Sequence, residues 1–275
     1  MIIKSFLKTI YFRLLKLYVL FFLKNRAVKS LNKLLEKKQN ILIIGKGKSL
    51  LKIPDEKLFK LLNNSDFIIL CSSVDIKNHH ILRRYNYDVQ VVAKFDKYLN
   101  KSNVYPKTFF DQQIIKNLCI NATSTQNFGY DLYLFQRKYK HYNTPLFCTD
   151  DGKELISSDA SLYGGVGLTM TQAVISNVMS SNAKSITLIG VDFYGTGYMH
   201  ESLPNKYDTS FIQNIDTSVN SRETRGIPLI KYLINLCCCY EFESKTKLIL
   251  PTEIKKYIPP KLLIEMEGIK SVSWL

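Results

Sequence analysis

The segment Gly190-Val191-Asp192-Phe193-Tyr194-Gly195-Thr196-Gly197-Tyr198-Met199-His200 places an acid, two phenols and an imidazole among glycines, directly after an apolar run. Phenol hydroxyls donate hydrogen bonds to a phosphate and can stabilise it as it departs, with no metal required. His200 adds a candidate base with a pKa near working pH. Plainer roles fit the same letters. Asp192 could cap backbone N–H groups, and Tyr194 and Tyr198 could be core or surface aromatics.

A second cluster is Gly45-Lys46-Gly47-Lys48-Ser49-Leu50. Backbone N–H groups in such a turn, with a helix N-terminus behind them, suit an anion. Glycine lets a ligand approach the backbone closely, and Lys46 and Lys48 add positive charge. A tight strand-to-helix turn explains these residues equally well. Neither the GxGxxG nor the GxxxxGK[ST] pattern is present. In Cys71-Ser72-Ser73-Val74-Asp75, hydroxyls and a carboxylate could read a ribose or a base, or cap a helix. No Asp-x-Asp pair offers a divalent-cation clamp, and Asp150-Asp151 reads as a turn before Gly152-Lys153. The expectation is chemistry without a metal ligand set or a bound cofactor.

These groups need elements to hold them. Ile41–Ile44 is a short apolar run closed by glycine, which predicts a buried strand. Asp55–Leu62 has helical periodicity. Phe67–Leu70, Val89–Ala93 and Leu146–Cys148 predict further strands. Tyr163-Gly164-Gly165-Val166-Gly167 is a flexible turn into a helix over Leu168–Met179. Ser185–Val191 predicts a strand, Ile227–Cys239 a helix, and Lys247–Leu250 a last strand. Such alternation implies a doubly wound, mostly parallel α/β sheet. Ligands of such sheets bind beyond the carboxyl ends of the strands. The turns 45–49, 71–75 and 192–200 should share that edge.

The chain has 275 residues, 46% of them hydrophobic, enough for one sizeable core. Its net charge of +15 is concentrated at the front. Residues 1–40 hold ten Lys or Arg against Glu36, a net of +9. Residues 2–24 carry an apolar stripe at Ile3, Phe6, Leu7, Ile10, Leu14, Leu17 and Phe21. The longest unbroken apolar run, Leu17–Leu23, falls well short of the roughly 20 residues that a membrane span needs. A basic amphipathic helix on an anionic membrane surface is the expectation. Residues 1–38 would form this segment and residues 39–275 the catalytic domain. Packing on the domain, or on another subunit of a homo-oligomer, is the alternative. Nucleic acid is not an expected partner, because the basic residues are interleaved with Leu, Phe and Ile rather than with stacking platforms. The six cysteines lack metal-ligand spacing and read as small buried residues. His79, His80 and His141 read as surface histidines.

The ordered pieces resemble the bacterial lipooligosaccharide sialyltransferases of glycosyltransferase family 42. The likeness spans roughly residues 41–250. It rests mainly on Gly45-Lys46-Gly47-Lys48-Ser49-Leu50, beside that family's GNGPSL, and on Gly190-Val191-Asp192-Phe193-Tyr194, beside its GIDFY. Cys71-Ser72 stands where the family has Cys-Asn, and Gly164-Gly165-Val166 where it has Ser-Gly-Val. The resemblance implies a Rossmann-like, GT-A-like domain and a CMP-sialic acid donor, with inversion and no metal. It also implies two tyrosines at the leaving phosphate and a histidine base. Tyr194 matches the first tyrosine. Tyr198 is the nearest phenol to the second, whose place without gaps is taken by His200. The base position, counted back from the helix at Ile227–Leu233, holds Ser221, so His200, Glu201, Asp208 and Glu223 are further candidates. Gly45, Lys46, Gly47, Ser49, Ser72, Gly164, Gly165 and Asp192 would line the donor. Lys46 and Ser72 replace family asparagines, so a related CMP-sugar is an alternative donor.

The expected partners are a nucleotide sugar, a glycan or glycolipid acceptor and the inner face of the cytoplasmic membrane. Two other readings stay open. One is a Mg²⁺-dependent, pyrophosphokinase-like phosphoryl-transfer enzyme. The other is a non-catalytic membrane-bound scaffold with a diverged transferase domain.

Overall fold

The computed structural model describes residues 10, 14, 29–71, 74, 76, 79–92, 114–120, 146–148, 170–179, 181–195, 223, 226–240 and 246–275. Nine strands among them form one sheet: β1 (Lys29–Ser30), β2 (Asn40–Ile44), β3 (Phe67–Cys71), β4 (Tyr87–Val92), β5 (Ile115–Ile120), β6 (Leu146–Cys148), β7 (Ser185–Ile189), β8 (Lys247–Leu250) and β9 (Val272–Trp274). Their order is β1-β6-β5-β4-β3-β2-β7-β8-β9. Every neighbouring pair is parallel. The sheet is thus parallel throughout, beyond the mostly parallel expectation.

Strand alternation builds a core on each face. Ile41 and Ile43 of β2, with Phe67, Ile69 and Cys71 of β3, pack on one side. There they meet α1 (Asn32–Leu35), α3 (Met170–Met179) and α4 (Ile227–Tyr240). Leu42, Ile44, Ile68 and Leu70 face the other side, against Leu58 and Leu62 of α2 (Asp55–Asn63). Burial on both faces is why β2 and β3 read as unbroken apolar runs rather than alternating ones. A short helix, α5 (Pro260–Glu267), precedes β9.

Three strands escape the sequence pattern. In β5, Lys116 and Asn117 interrupt the apolar letters, but both are satisfied by a neighbour. Lys116 pairs with Asp88 at 2.8 Å, and the Asn117 amide donates to the Asp88 carbonyl at 2.7 Å. Strand β9 is short and lies at the sheet edge. Strand β1 hides in the basic front segment. It pairs with β6, and Leu31 and Leu35 just after it are fully buried in the core. Lys29–Ser30, Leu31 and Leu35 thus join the sheet and its core. Ahead of them only Ile10 and Leu14 are described. Both are helical and exposed, at 38% and 61%. No helix among the described residues is long and apolar enough to cross a membrane.

The strand order sets the site. From β2 the chain winds outward through β3, β4, β5 and β6, then returns to place β7 on the other flank of β2. The direction of winding therefore reverses between β2 and β7. A crevice opens beyond the carboxyl ends at such a reversal, and ligands of doubly wound folds bind there. Ile44 is in register with Leu70 and with Ile189, so the segments after β2, β3 and β7 leave the sheet side by side.

Candidate functional site

Two turns meet at this crevice. The turn after β2 is locked to the turn after β7 by backbone hydrogen bonds. The Gly45 N–H donates to the Ile189 carbonyl and the Gly47 N–H to the Gly190 carbonyl, each at 2.8 Å. The two chains touch so closely that a Cβ on Gly45 would lie 2.3 Å from the Gly190 oxygen. Gly190 also has φ +64°, in the left-handed region that other residues avoid. The strand expected to reach Val191 therefore stops at Ile189.

Asp192 completes the lock. Its carboxylate is buried, accepts the Ser49 N–H at 2.8 Å and accepts the Ser49 hydroxyl as well. A Cβ on Gly47 would stand 2.4 Å from that carboxyl carbon, so the acid lies directly against the turn. Residues Lys48–Lys52 form a 3-10 turn with no side-chain cap of its own. Asp192 supplies the negative group that a helix start favours. The Gly45, Gly47 and Ser49 amides already serve Ile189, Gly190 and Asp192, so these residues shape the crevice and do not hold out N–H groups. Lys46 and Lys48 lie part-buried on the same turn.

The next three residues have a different character. The Gly195 N–H donates to the Asp192 carbonyl at 2.8 Å, closing a reverse turn over Phe193 and Tyr194. Both central residues have positive φ, 49° and 58°. This is the hand of a type I′ turn, which normally takes Gly, Asn or Asp. An aromatic residue there is a conformational outlier, at a cost on the order of 1–2 kcal/mol each. Phe193 is buried in the core, which offsets that cost for the pair. Tyr194 is left part-exposed at the crevice. Strain held in place by packing is a recurrent mark of functional positions.

Of the expected site residues, the structure brings Gly45, Lys46, Gly47 and Ser49 together with Asp192 and, beside them, Tyr194. Ser72, Gly164, Gly165, Tyr198, His200 and Ser221 lie outside the described residues, as do Glu201 and Asp208. Glu223 is described and exposed. No cluster of three metal-ligating side chains occurs among the described residues. Two surface expectations change. His79 is buried, and its Nδ1 accepts the Ile81 and Leu82 N–H groups at 3.3 and 3.4 Å. Its ring stacks on exposed His80, which pairs with Asp55 at 2.9 Å. Among the cysteines, Cys71, Cys119 and Cys237 are buried as expected, whereas Cys238 is exposed. Burial pushes the Cys71 thiol up to about 12, so it is inert as a nucleophile.

The sequence pattern passed over Tyr257 and Lys256. Both sit on a 3-10 turn, Thr252–Tyr257, that leaves β8 on the same edge of the sheet. Glu253 of that turn lies 3.8 Å from Lys57 of α2. Nothing in the local sequence marks these residues, because only the strand order carries β8 to the flank of β7.

Comparison with known proteins gives structural neighbours only. No family model and no curated protein matches the chain. Among solved structures, the chain is similar to the sialyltransferase CstII from Campylobacter jejuni in complex with the substrate analogue CMP-3FNeuAc. The TM-score is 0.49 and the identity 16%, over 78% of this chain and 81% of that one. It is also similar to sialyltransferase CST-II with a trisaccharide acceptor and CMP, at TM-score 0.47 and 17% identity, over 76% and 79% of the two chains. The monofunctional alpha-2,3-sialyltransferase Cst-I from Campylobacter jejuni gives 0.46 and 15%, over 81% and 77%.

Proposed function

We propose that the chain is a glycosyltransferase that moves sialic acid, or a related nonulosonic sugar, from a CMP-sugar to a hydroxyl of a surface glycan. The observation that carries this reading is the reverse turn Asp192–Gly195. It holds Tyr194 part-exposed where the strand order reverses, within the Gly190–Tyr194 block that resembles the family 42 transferases. In the reaction, the acceptor oxygen attacks the anomeric carbon from the face opposite the phosphate. The bond from that carbon to the phosphate oxygen breaks, and CMP leaves with the electron pair. Tyr194 donates a hydrogen bond to the departing phosphate, and a base takes the acceptor proton. His200 is the base we favour. No divalent cation enters these steps.

Three features support an anionic donor at this edge. Lys46 and Lys48 lie on the turn after β2, and Lys256 lies on the turn after β8. Asp192 faces inward to Ser49, so its charge is held away from the crevice. The first test is release of CMP from CMP-sialic acid by the full chain in EDTA. Activity that vanishes in EDTA and returns with Mg²⁺ would favour phosphoryl-transfer chemistry instead.

The front segment then places the enzyme near a lipid-linked acceptor. Ile10 and Leu14, four positions apart on the apolar stripe, are both helical and exposed. Liposome flotation should be compared between the full chain and one lacking residues 1–26. This cut spares Lys29–Ser30 and the buried Leu31 and Leu35. Loss of flotation on anionic vesicles is expected, and equal flotation would remove the membrane role.

A further inference from the structure

We propose that Tyr257 is the positioning residue for Tyr194, an inference that rests on the transferase reading for its kinetic consequences. Tyr257 packs against Gly195, the residue that closes the strained reverse turn. A Cβ on Gly195 would meet the Tyr257 ring at 2.7 Å, through both Cγ and Cδ1. The root of the side chain, Cβ together with the near edge of the ring, rather than the hydroxyl, thus forms the wall behind the turn. Gly195 is there because no other side chain fits between that ring and the backbone.

The wall is itself braced. Ile254 and Ile258, on either side of Tyr257, are buried in the core. Lys255 pairs with Glu267 of α5 at 2.6 Å and lies 4.5 Å above the Trp274 ring of β9. The Thr252 hydroxyl donates to the Leu275 carbonyl, and the Leu275 N–H donates to the Leu250 carbonyl at 2.8 Å. The turn that carries Tyr257 is thus tied to the C-terminal residues 267–275. On its outer side, the Lys256 ammonium lies 5.1 Å from the Tyr257 ring.

The physical consequence concerns Tyr194. Two aromatic residues at positive φ favour relaxation toward the ordinary β or α regions. Phe193 is fixed by burial, so relaxation must occur through Gly195, the most permissive residue of the turn. Tyr257 removes the space into which Gly195 would move. Without it, Tyr194 samples other positions. A misplacement near 1 Å costs on the order of a hundredfold in rate when the group acts on the reacting atoms.

The test uses Tyr257→Ala, Tyr257→Leu and Tyr257→Phe in the full chain, with CMP-sialic acid as donor. Tyr257→Ala should lower kcat by roughly tenfold or more while KM moves less than about threefold, since a transition-state contact is lost. Tyr257→Phe keeps the ring and should stay within about twofold of the parent. The double variant with Tyr194→Phe should be no slower than Tyr194→Phe alone by more than about twofold, because both changes remove one contact. Additive losses, or a folded Tyr257→Ala with full kcat, would overturn the proposal. Should the alanine variant fail to fold, the leucine variant carries the same comparisons.

A 3-fluorotyrosine at position 194 gives a readout that needs no donor. Its ¹⁹F line should be single in the parent and in Tyr257→Phe, and shifted or split in Tyr257→Ala or →Leu. An unchanged line overturns the positioning role. A changed line in a protein that turns over no CMP-sugar leaves the positioning role standing and removes the donor assignment.

Discussion

The two turns at the crevice differ in a way that the sequence conceals. Gly45–Ser49 has the glycines and lysines of a phosphate cradle, yet it is a closed structural lock. Its amides at Gly45, Gly47 and Ser49 are satisfied by Ile189, Gly190 and Asp192. Phe193–Tyr194 has no glycine where the backbone calls for one, and it is strained. The satisfied turn sets where the crevice lies. The strained one carries Tyr194, the group that we propose acts there. Glycine content by itself thus does not separate a satisfied turn from a strained one.

That contrast predicts different responses to mutation. The largest effect on stability should come from Gly190→Ala. It adds strain at φ +64° and a contact of 2.6 Å with the Gly45 oxygen. Strain and overpacking together should cost about 3 kcal/mol or more. Thermal melting would show a fall of several degrees, at about 2–4 °C per kcal/mol for a domain of this size. A variant melting with the parent would mean that the two turns are not locked.

Asp192→Asn tests the other half of the lock. It keeps the shape but removes the charge from the hydrogen bonds to Ser49. A loss of roughly 1.5–3 kcal/mol is expected, the range for hydrogen bonds to charged groups. Ser49→Ala should cost less, about 1 kcal/mol. Near-additive losses in the double variant would show that the two groups do not act on each other.

Tyr194→Phe should invert the pattern, with stability within about 0.5 kcal/mol of the parent. A separate structural effect lies away from the crevice. His79→Ala should cost about 1 kcal/mol, because two N–H groups lose their acceptor. Urea denaturation of the variant measures this, and a larger loss would assign His79 more than a local cap.

Much of the fold could be read from local pattern. Strands β2 and β3 are near-continuous apolar runs, and β7 is rich in Ile and Leu ahead of Gly190; the doubly wound sheet follows from the alternation of such strands with helices. What could not be read depends on contacts between distant residues. Ser49 and Asp192 are 143 residues apart, and no spacing rule links them. Strand β5 looks polar because Asp88 satisfies Lys116 and Asn117 from the neighbouring strand. Strand β1 looks like the end of a basic helix until its pairing with β6 is seen. Tyr257 reaches the crevice only because β8 lies beside β7. The sequence pointed to Asp192 and Tyr194 through their block. It did not separate the acid that builds the turn from the phenol that faces the crevice.

The most direct measurement is CMP release from CMP-sialic acid in EDTA by the parent chain and by Tyr194→Phe. The account predicts turnover by the parent and a fall of more than tenfold in the variant, since losing one such donor typically costs about 2.7–4 kcal/mol. The melting temperature should be unchanged. Equal turnover by the two proteins, or none by the parent, would contradict it.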